Sequence, residues 1–136
     1  MRPEELMIGD LIMCHNSNFF VTSVDGYGSL IGIDNERDAD LVHIDELIPI
    51  PLTPEILEKN GAIRLNGFWL FEKNGFERAM LSYCNGNEDY MSEEATEYFG
   101  RHWVFDENYR IDYVHELQYA LRLCGLNELA DNFKVE

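Results

Sequence analysis

The rhythm of apolar and polar positions changes near residue 52. Before it, short aliphatic and aromatic runs alternate with turn-forming clusters. Asp10–His15, Phe19–Val24, Ser29–Ile33, the group Leu41, Val42 and Ile44, and Leu47–Ile50 predict five strands. The breaks fall at Asn16–Asn18, at Asp25-Gly26-Tyr27-Gly28 and at the polar loop Asp34 to Asp38. Strands this short, joined this tightly, bury their apolar side chains best by curling into a small barrel. Pro49 and Pro51 cannot donate to a ladder, so the fifth strand belongs at an edge or leaves the sheet there.

A helix is then signalled over Pro54–Asn60. Thr53 is a good N-cap, Pro54 suits the first helical position, and Gly61 supplies the stop. It is too short to stand alone and must dock through Ile56 and Leu57. Residues 62–111 return to strand character. Phe68–Phe71 and Phe76–Tyr83 flank Asn74-Gly75, the pair that favours a two-residue hairpin turn. Tyr98–Phe105 and Tyr109–Ile111 predict further strands, and Glu88–Thr96 reads as an acidic loop or frayed helical turn. After Asp112, the expected N-cap, Val114, Leu117, Leu121 and Cys124 recur at helical spacing with Ala120 beside them. Gly125 ends that helix, and Leu126 is placed to pack back on Leu121. Asn127 starts a last short helix whose Leu129, Ala130 and Phe133 can cover the sheet.

Composition adds one large fact. An apolar fraction of 46% marks a folded globule, yet the net charge is −16. Residues 1–50 hold 10 acids and 2 bases, the most acidic part of the chain. Such a surface opposes direct nucleic-acid binding, which depends on Lys and Arg displacing counterions. Anionic membranes are disfavoured for the same reason. A basic protein partner fits. The three cysteines, Cys14, Cys84 and Cys124, are widely spaced and suit a reducing cytoplasm better than a disulfide framework. The acidic start Met1-Arg2-Pro3-Glu4-Glu5 lacks the basic region of a signal peptide, and no apolar run is long enough to span a bilayer.

Candidate chemistry is sparse. His115-Glu116 begins like a zinc-protease helix, but the second histidine is replaced by Tyr119, and Gln118 is no substitute ligand. Asp34, Glu36, Asp38, Asp40 and Asp45 stand at loop positions one, three, five, seven and twelve of a calcium-loop rhythm. Ala39 replaces the turn glycine, Asp45 is shorter than the usual bidentate Glu, and the flanks read as strands, so no metal or cofactor is assigned. Cys14-His15 are neighbours on a strand and face opposite ways. A cysteine nucleophile paired with His15, His43, His102 or His115 would need the fold to bring the two together. Tyr27, Phe68, Trp69, Tyr98, Phe99 and Trp103 could line a recognition groove, although filling a core is the commoner use of aromatics.

Three phrases carry a family likeness: Glu4-Glu-Leu-Met-Ile-Gly-Asp-Leu11, Ile48-Pro-Ile-Pro-Leu-Thr-Pro-Glu-Ile-Leu57 with Lys59-Asn60-Gly61, and Tyr113-Val-His-Glu-Leu-Gln118. Together they resemble a set of short uncharacterised proteins from gut anaerobic bacteria, often carried near phage or other mobile elements. The resemblance implies an intracellular bacterial or phage-related protein and brings no activity or site residue with it. Gly9-Asp10 leading into a hairpin is also similar to SH3-like small barrels. The expected architecture is α+β: an SH3-like β-barrel over residues 1–52, then an α+β unit over 53–136 with an antiparallel sheet packed by C-terminal helices, the two packed together. The expected function is a non-enzymatic, acidic protein-binding or adaptor module in the cytoplasm. Two alternatives stand beside it: a nucleic-acid mimic using the acids of residues 34–46 and 88–97 to inhibit a DNA-binding protein, and a Cys/His hydrolase. Oligomeric state is not legible.

Overall fold

In the computed structural model, residues 6–25, 29–65, 68–84, 102–105 and 109–136 are described. The fold is α+β, with two antiparallel sheets and helices packed against the second. The first sheet contains β1 (Leu11–Cys14), β2 (Ser17–Val24), β3 (Leu30–Asp34), β4 (Ala39–His43) and β5 (Leu47–Ile48) in the order β4-β3-β2-β1-β5. Its outer strands β4 and β5 are joined by a single 3-10 turn, Ile44–Glu46. Four Cα steps from His43 to Leu47 reach at most about 14 Å. The outer strands of a flat five-stranded sheet would stand about 19 Å apart. The sheet must therefore curl, and it forms a half-barrel.

Strand alternation fills that curl. Ile12, Cys14, Phe19, Val21, Ile31, Ile33, Val42, Ile44 and Leu47 make one apolar cluster, with Leu6 joining it. Leu11 and Met13, on the other side of β1, pack into a second and larger cluster. β1 is thus covered on both faces, and its sequence is correspondingly an unbroken apolar run.

Two local details depart from the expectations. Ile44 belongs to the 3-10 turn and not to β4. The turn after β1 is His15-Asn16, both at positive φ (47° and 66°), so Ser17 and Asn18 already belong to β2. Asn tolerates that conformation, but no glycine advertises the turn. β5 ends before Pro49 at the edge of the sheet, as the missing donors of Pro49 and Pro51 require.

Past β5 the chain is held at once. Leu52 N–H donates to Asp112 O at 3.1 Å, Val114 N–H donates to Ile50 O at 2.8 Å, and Pro51 bridges Tyr113. α1 spans Pro54–Lys59, with Thr53 Oγ1 accepting from Ile56 N–H at 3.3 Å. The second sheet is a meander, β10-β9-β8-β7-β6, of β6 (Ile63–Leu65), β7 (Phe68–Lys73), β8 (Phe76–Cys84), β9 (His102–Phe105) and β10 (Tyr109–Ile111). Asn74 and Gly75 join β7 to β8 at φ 56° and 80°, the two left-handed residues of a type I′ turn. The acidic stretch Glu88–Thr96 and the start of the Tyr98–Phe105 run lie outside the described residues.

One face of this sheet, carrying Trp69, Phe71, Ala79, Leu81, Trp103, Phe105 and Ile111, packs on α1, on α2 (Val114–Leu123) and on α3 (Asn127–Asp131) through Leu57, Leu117, Leu121 and Ala130, and on Phe133 just beyond α3. α2 starts one residue later than Asp112 suggests. Glu116 Oε1 accepts from the Asp112 and Tyr113 N–H groups, while the Asp112 carboxylate is held by Arg110 Nε at 3.0 Å. α2 closes as a Schellman motif: Leu126 N–H to Leu121 O at 2.9 Å and Gly125 N–H to Arg122 O at 3.1 Å. Both leucines are buried in the same cluster.

Candidate functional site

The most concentrated polar chemistry among the described residues is buried where the half-barrel meets α2 and α3. Gln118 lies on the apolar stripe of α2 and has no exposed surface. Its Oε1 accepts from Leu11 N–H at 2.8 Å, and its Nε2 donates to Gly9 O at 3.0 Å and Ala130 O at 2.8 Å. One side chain thereby joins β1, the segment before it and α3. One turn along α2, Arg122 Nη1 meets Asp10 Oδ1 at 2.8 Å and Nη2 meets Asp131 Oδ1 at 3.4 Å. The other Asp10 oxygen accepts from Met7 N–H at 2.9 Å.

Gly9 makes room for this arrangement. Its φ is +94°, and a Cβ there would lie 3.0 Å from Arg122 Nη2 and 3.3 Å from Asp131 Oδ1. Burial pushes the Asp10 carboxyl above its ordinary range. The bonds from Arg122 and Met7 N–H, the Arg122 charge and nearby His115 pull it part of the way back. His115 is itself buried, its ring stacked on Tyr113 with centroids 6.0 Å apart.

This geometry ties three elements together. Both Asp10 oxygens accept hydrogen bonds from within the protein and the side chain is 1% exposed, so it is closed off from solvent. Every polar atom of the Gln118 amide has a partner. A signal for this centre existed in the sequence: a glutamine on an otherwise apolar helix stripe marks a buried polar group. Its partners Leu11 and Gly9, more than a hundred residues away, carried no such mark.

The calcium-rhythm residues lie on and after a hairpin. Asp34 ends β3, Glu36 and Asp38 stand in the turn, Asp40 is in β4 and Asp45 in the 3-10 turn, all exposed. Asn35 organises the turn, its Oδ1 accepting from Arg37 N–H at 2.9 Å and Asp38 N–H at 2.7 Å. Among the described residues, no three His, Cys, Asp or Glu side chains come together in a way that could hold a metal ion.

Among the described side chains, the cysteines and histidines are dispersed. Cys14 points into the half-barrel, where burial, followed by the charges of Glu46 and Asp40, pushes its thiol up. Neighbouring His15 is exposed, 3.5 Å from Glu46 Oε1. His43 caps the 3-10 turn, its Nδ1 accepting from Asp45 N–H at 3.2 Å and its own N–H donating to Glu46 Oε2 at 3.0 Å. Cys124 is half-buried at the end of α2. Cys84 and His102 stand opposite each other in the register of β8 and β9, and their side chains lie outside the described set.

Of the aromatic candidates, Trp69 and Trp103 belong to the core, where Trp103 Nε1–H donates to Leu52 O at 3.1 Å. Phe68 is on the opposite face of the sheet and exposed. Tyr27, Tyr98 and Phe99, and the acids of residues 88–97, lie outside the described residues. No described helix is long and apolar enough to cross a membrane. Compared with family models, curated proteins and solved structures, the chain matches none.

Proposed function

We propose that this chain is a non-enzymatic protein-binding or adaptor module of the cytoplasm, built on an SH3-like barrel and directed at a basic partner. The strand order β4-β3-β2-β1-β5, closed by a 3-10 turn between β4 and β5, supports the SH3-like assignment. One contrast supports the function. The buried carboxylate Asp10 is committed to Arg122, whereas residues 34–46 present six exposed carboxylates and one arginine. Charge placed this way favours association with cationic surfaces.

The test is co-purification from the cells that make the protein at about 0.05 M salt, followed by elution at about 0.5 M, where charge pairing is screened within a few ångströms. A stoichiometric partner rich in Lys and Arg, released by salt, is the expected result. Recovery of no partner at low salt contradicts the reading.

A second reading draws on the same carboxylates, which run along one hairpin and the turn that follows it. As a nucleic-acid mimic, the chain would occupy the DNA-binding groove of its partner. Duplex DNA should then compete for the partner. Under the first reading the complex persists when DNA is added.

A further inference from the structure

We infer that the outer face of β2, β3 and β4 is the docking surface, and that its occupant is a cationic protein segment carrying leucine-like side chains between its Lys and Arg residues. This inference rests on the protein-binding reading above and names the site and the partner chemistry. Ile31 and Ile33 point into the half-barrel, so Leu30, Gly32 and Asp34 face out. The register places Leu41 opposite Gly32 and His43 opposite Leu30. Leu30 and Leu41 are therefore diagonal neighbours on one outer face, with a glycine beside each. They are 37% and 59% exposed, and no buried cluster includes either.

The floor between them is flat for a reason. A Cβ at Gly32 would run into the Ser23 and Thr22 hydroxyls, which already cover this buried glycine, so the ground between the two leucines is filled by those hydroxyls. Carboxylates stand at both ends: Asp34, Glu36 and Asp38 near the hairpin turn, Asp45 and Glu46 beyond His43. An apolar centre with a charged rim is the usual anatomy of a protein interface. Here the rim has one sign, which selects a cationic occupant and repels a second copy of a chain whose net charge is −16.

The backbone edge of β4 is already occupied. Leu41 N–H donates to Asp40 Oδ1 at 2.8 Å, and His43 N–H donates to Glu46 Oε2 at 3.0 Å. A partner strand adding to that edge would have to displace both carboxylates. The occupant therefore lies across the side chains of the sheet and does not extend its hydrogen-bond ladder.

The experiment is an amide chemical-shift titration of the full chain with the peptide Lys-Lys-Leu-Lys-Leu-Lys-Lys, beside a Lys-only peptide of the same length. Shifts should cluster on Leu30–Asp34 and Ala39–Glu46, with the leucine-containing peptide binding more tightly. Leu41→Ser, at an exposed position outside both cores, should weaken it about tenfold, while Ile63→Ser on the second sheet should change affinity by less than about twofold. Unchanged affinity in Leu41→Ser, or equal binding of the Lys-only peptide, overturns the leucine face. Saturable shifts confined to the second sheet overturn the surface and spare the protein-binding role. Silence toward both peptides overturns the basic-partner chemistry itself.

Discussion

Replacing Gln118 with leucine removes the amide and keeps nearly the same volume. Three bonds disappear: from Leu11 N–H, to Gly9 O and to Ala130 O. Of the two carbonyls Ala130 O loses less, because it also accepts from Phe133 N–H at 3.4 Å. Leu11 N–H is different, since Leu11 is buried and its donor would face an apolar side chain. Leaving a buried donor unsatisfied costs about 1–3 kcal/mol, and each lost carbonyl bond about 0.5–1.5 kcal/mol. Some of that is offset by the added apolar burial, so Gln118→Leu should destabilise the fold by about 2–4 kcal/mol. Domain stabilities run to only about 5–15 kcal/mol, so the effect is large. Urea unfolding followed by the fluorescence of Trp69 and Trp103, both buried in the larger core, reads it directly. The midpoint should fall with the slope unchanged. A loss below about 0.5 kcal/mol, the level of an ordinary surface substitution, would refute the assignment of this amide as the tie between half-barrel and helices.

Asp10 should leave a signature in pH. Its folded pKa is raised above 3.8, so its contribution to stability is fully present below that value and is lost as pH rises through the folded pKa. The stability difference between the native chain and Asp10→Asn should therefore move against the native chain as pH rises from 3.8; parallel profiles, or a native gain with rising pH, contradict it. Gly75→Ala forces a left-handed φ of 80° onto a residue with a Cβ and should cost about 1 kcal/mol in urea unfolding, with no effect on peptide binding. Thr53→Ala removes the α1 cap and should cost about 1 kcal/mol by the same measurement. Cys14 should react with a thiol reagent at neutral pH more slowly than free cysteine, since burial and two carboxylates disfavour its thiolate; labelling of Cys14 faster than free cysteine, read by peptide mapping, would reopen cysteine chemistry.

What was legible in the chain was local. Asn74-Gly75 identifies its hairpin because a two-residue turn needs two left-handed residues. Thr53-Pro54 identifies the start of α1, and Gly125-Leu126 the end of α2, because capping is decided within a few residues. The curl of the first sheet was legible for a similar reason, since short strands with tight turns leave few other ways to bury Ile12, Val21, Ile31 and Ile33. The turn at His15-Asn16 was not, because neither residue requires a positive φ. Nor was the role of Asn60, which reads as the last residue of the helix that Gly61 stops. Its amide also exchanges hydrogen bonds with the Lys134 backbone in both directions at 2.7 Å, tying α1 to the C-terminal segment. The Asp10–Arg122 pair spans 112 positions and Gln118–Leu11 spans 107. No local pattern encodes contacts at that separation. The exposed leucine face was missed because Leu41 alternates as a strand residue should, and only the register shows Gly32 beside it.

If the Gln118 amide and the Asp10–Arg122 pair bind the half-barrel to the helices, neither opens without the other. Native-state hydrogen exchange at Leu11 N–H, which donates to Gln118, tests this against Leu121 N–H in the core of α2. The prediction is one opening free energy for both amides, equal to that of global unfolding. Exchange at Leu11 through an opening that costs several kcal/mol less than that at Leu121 would contradict it.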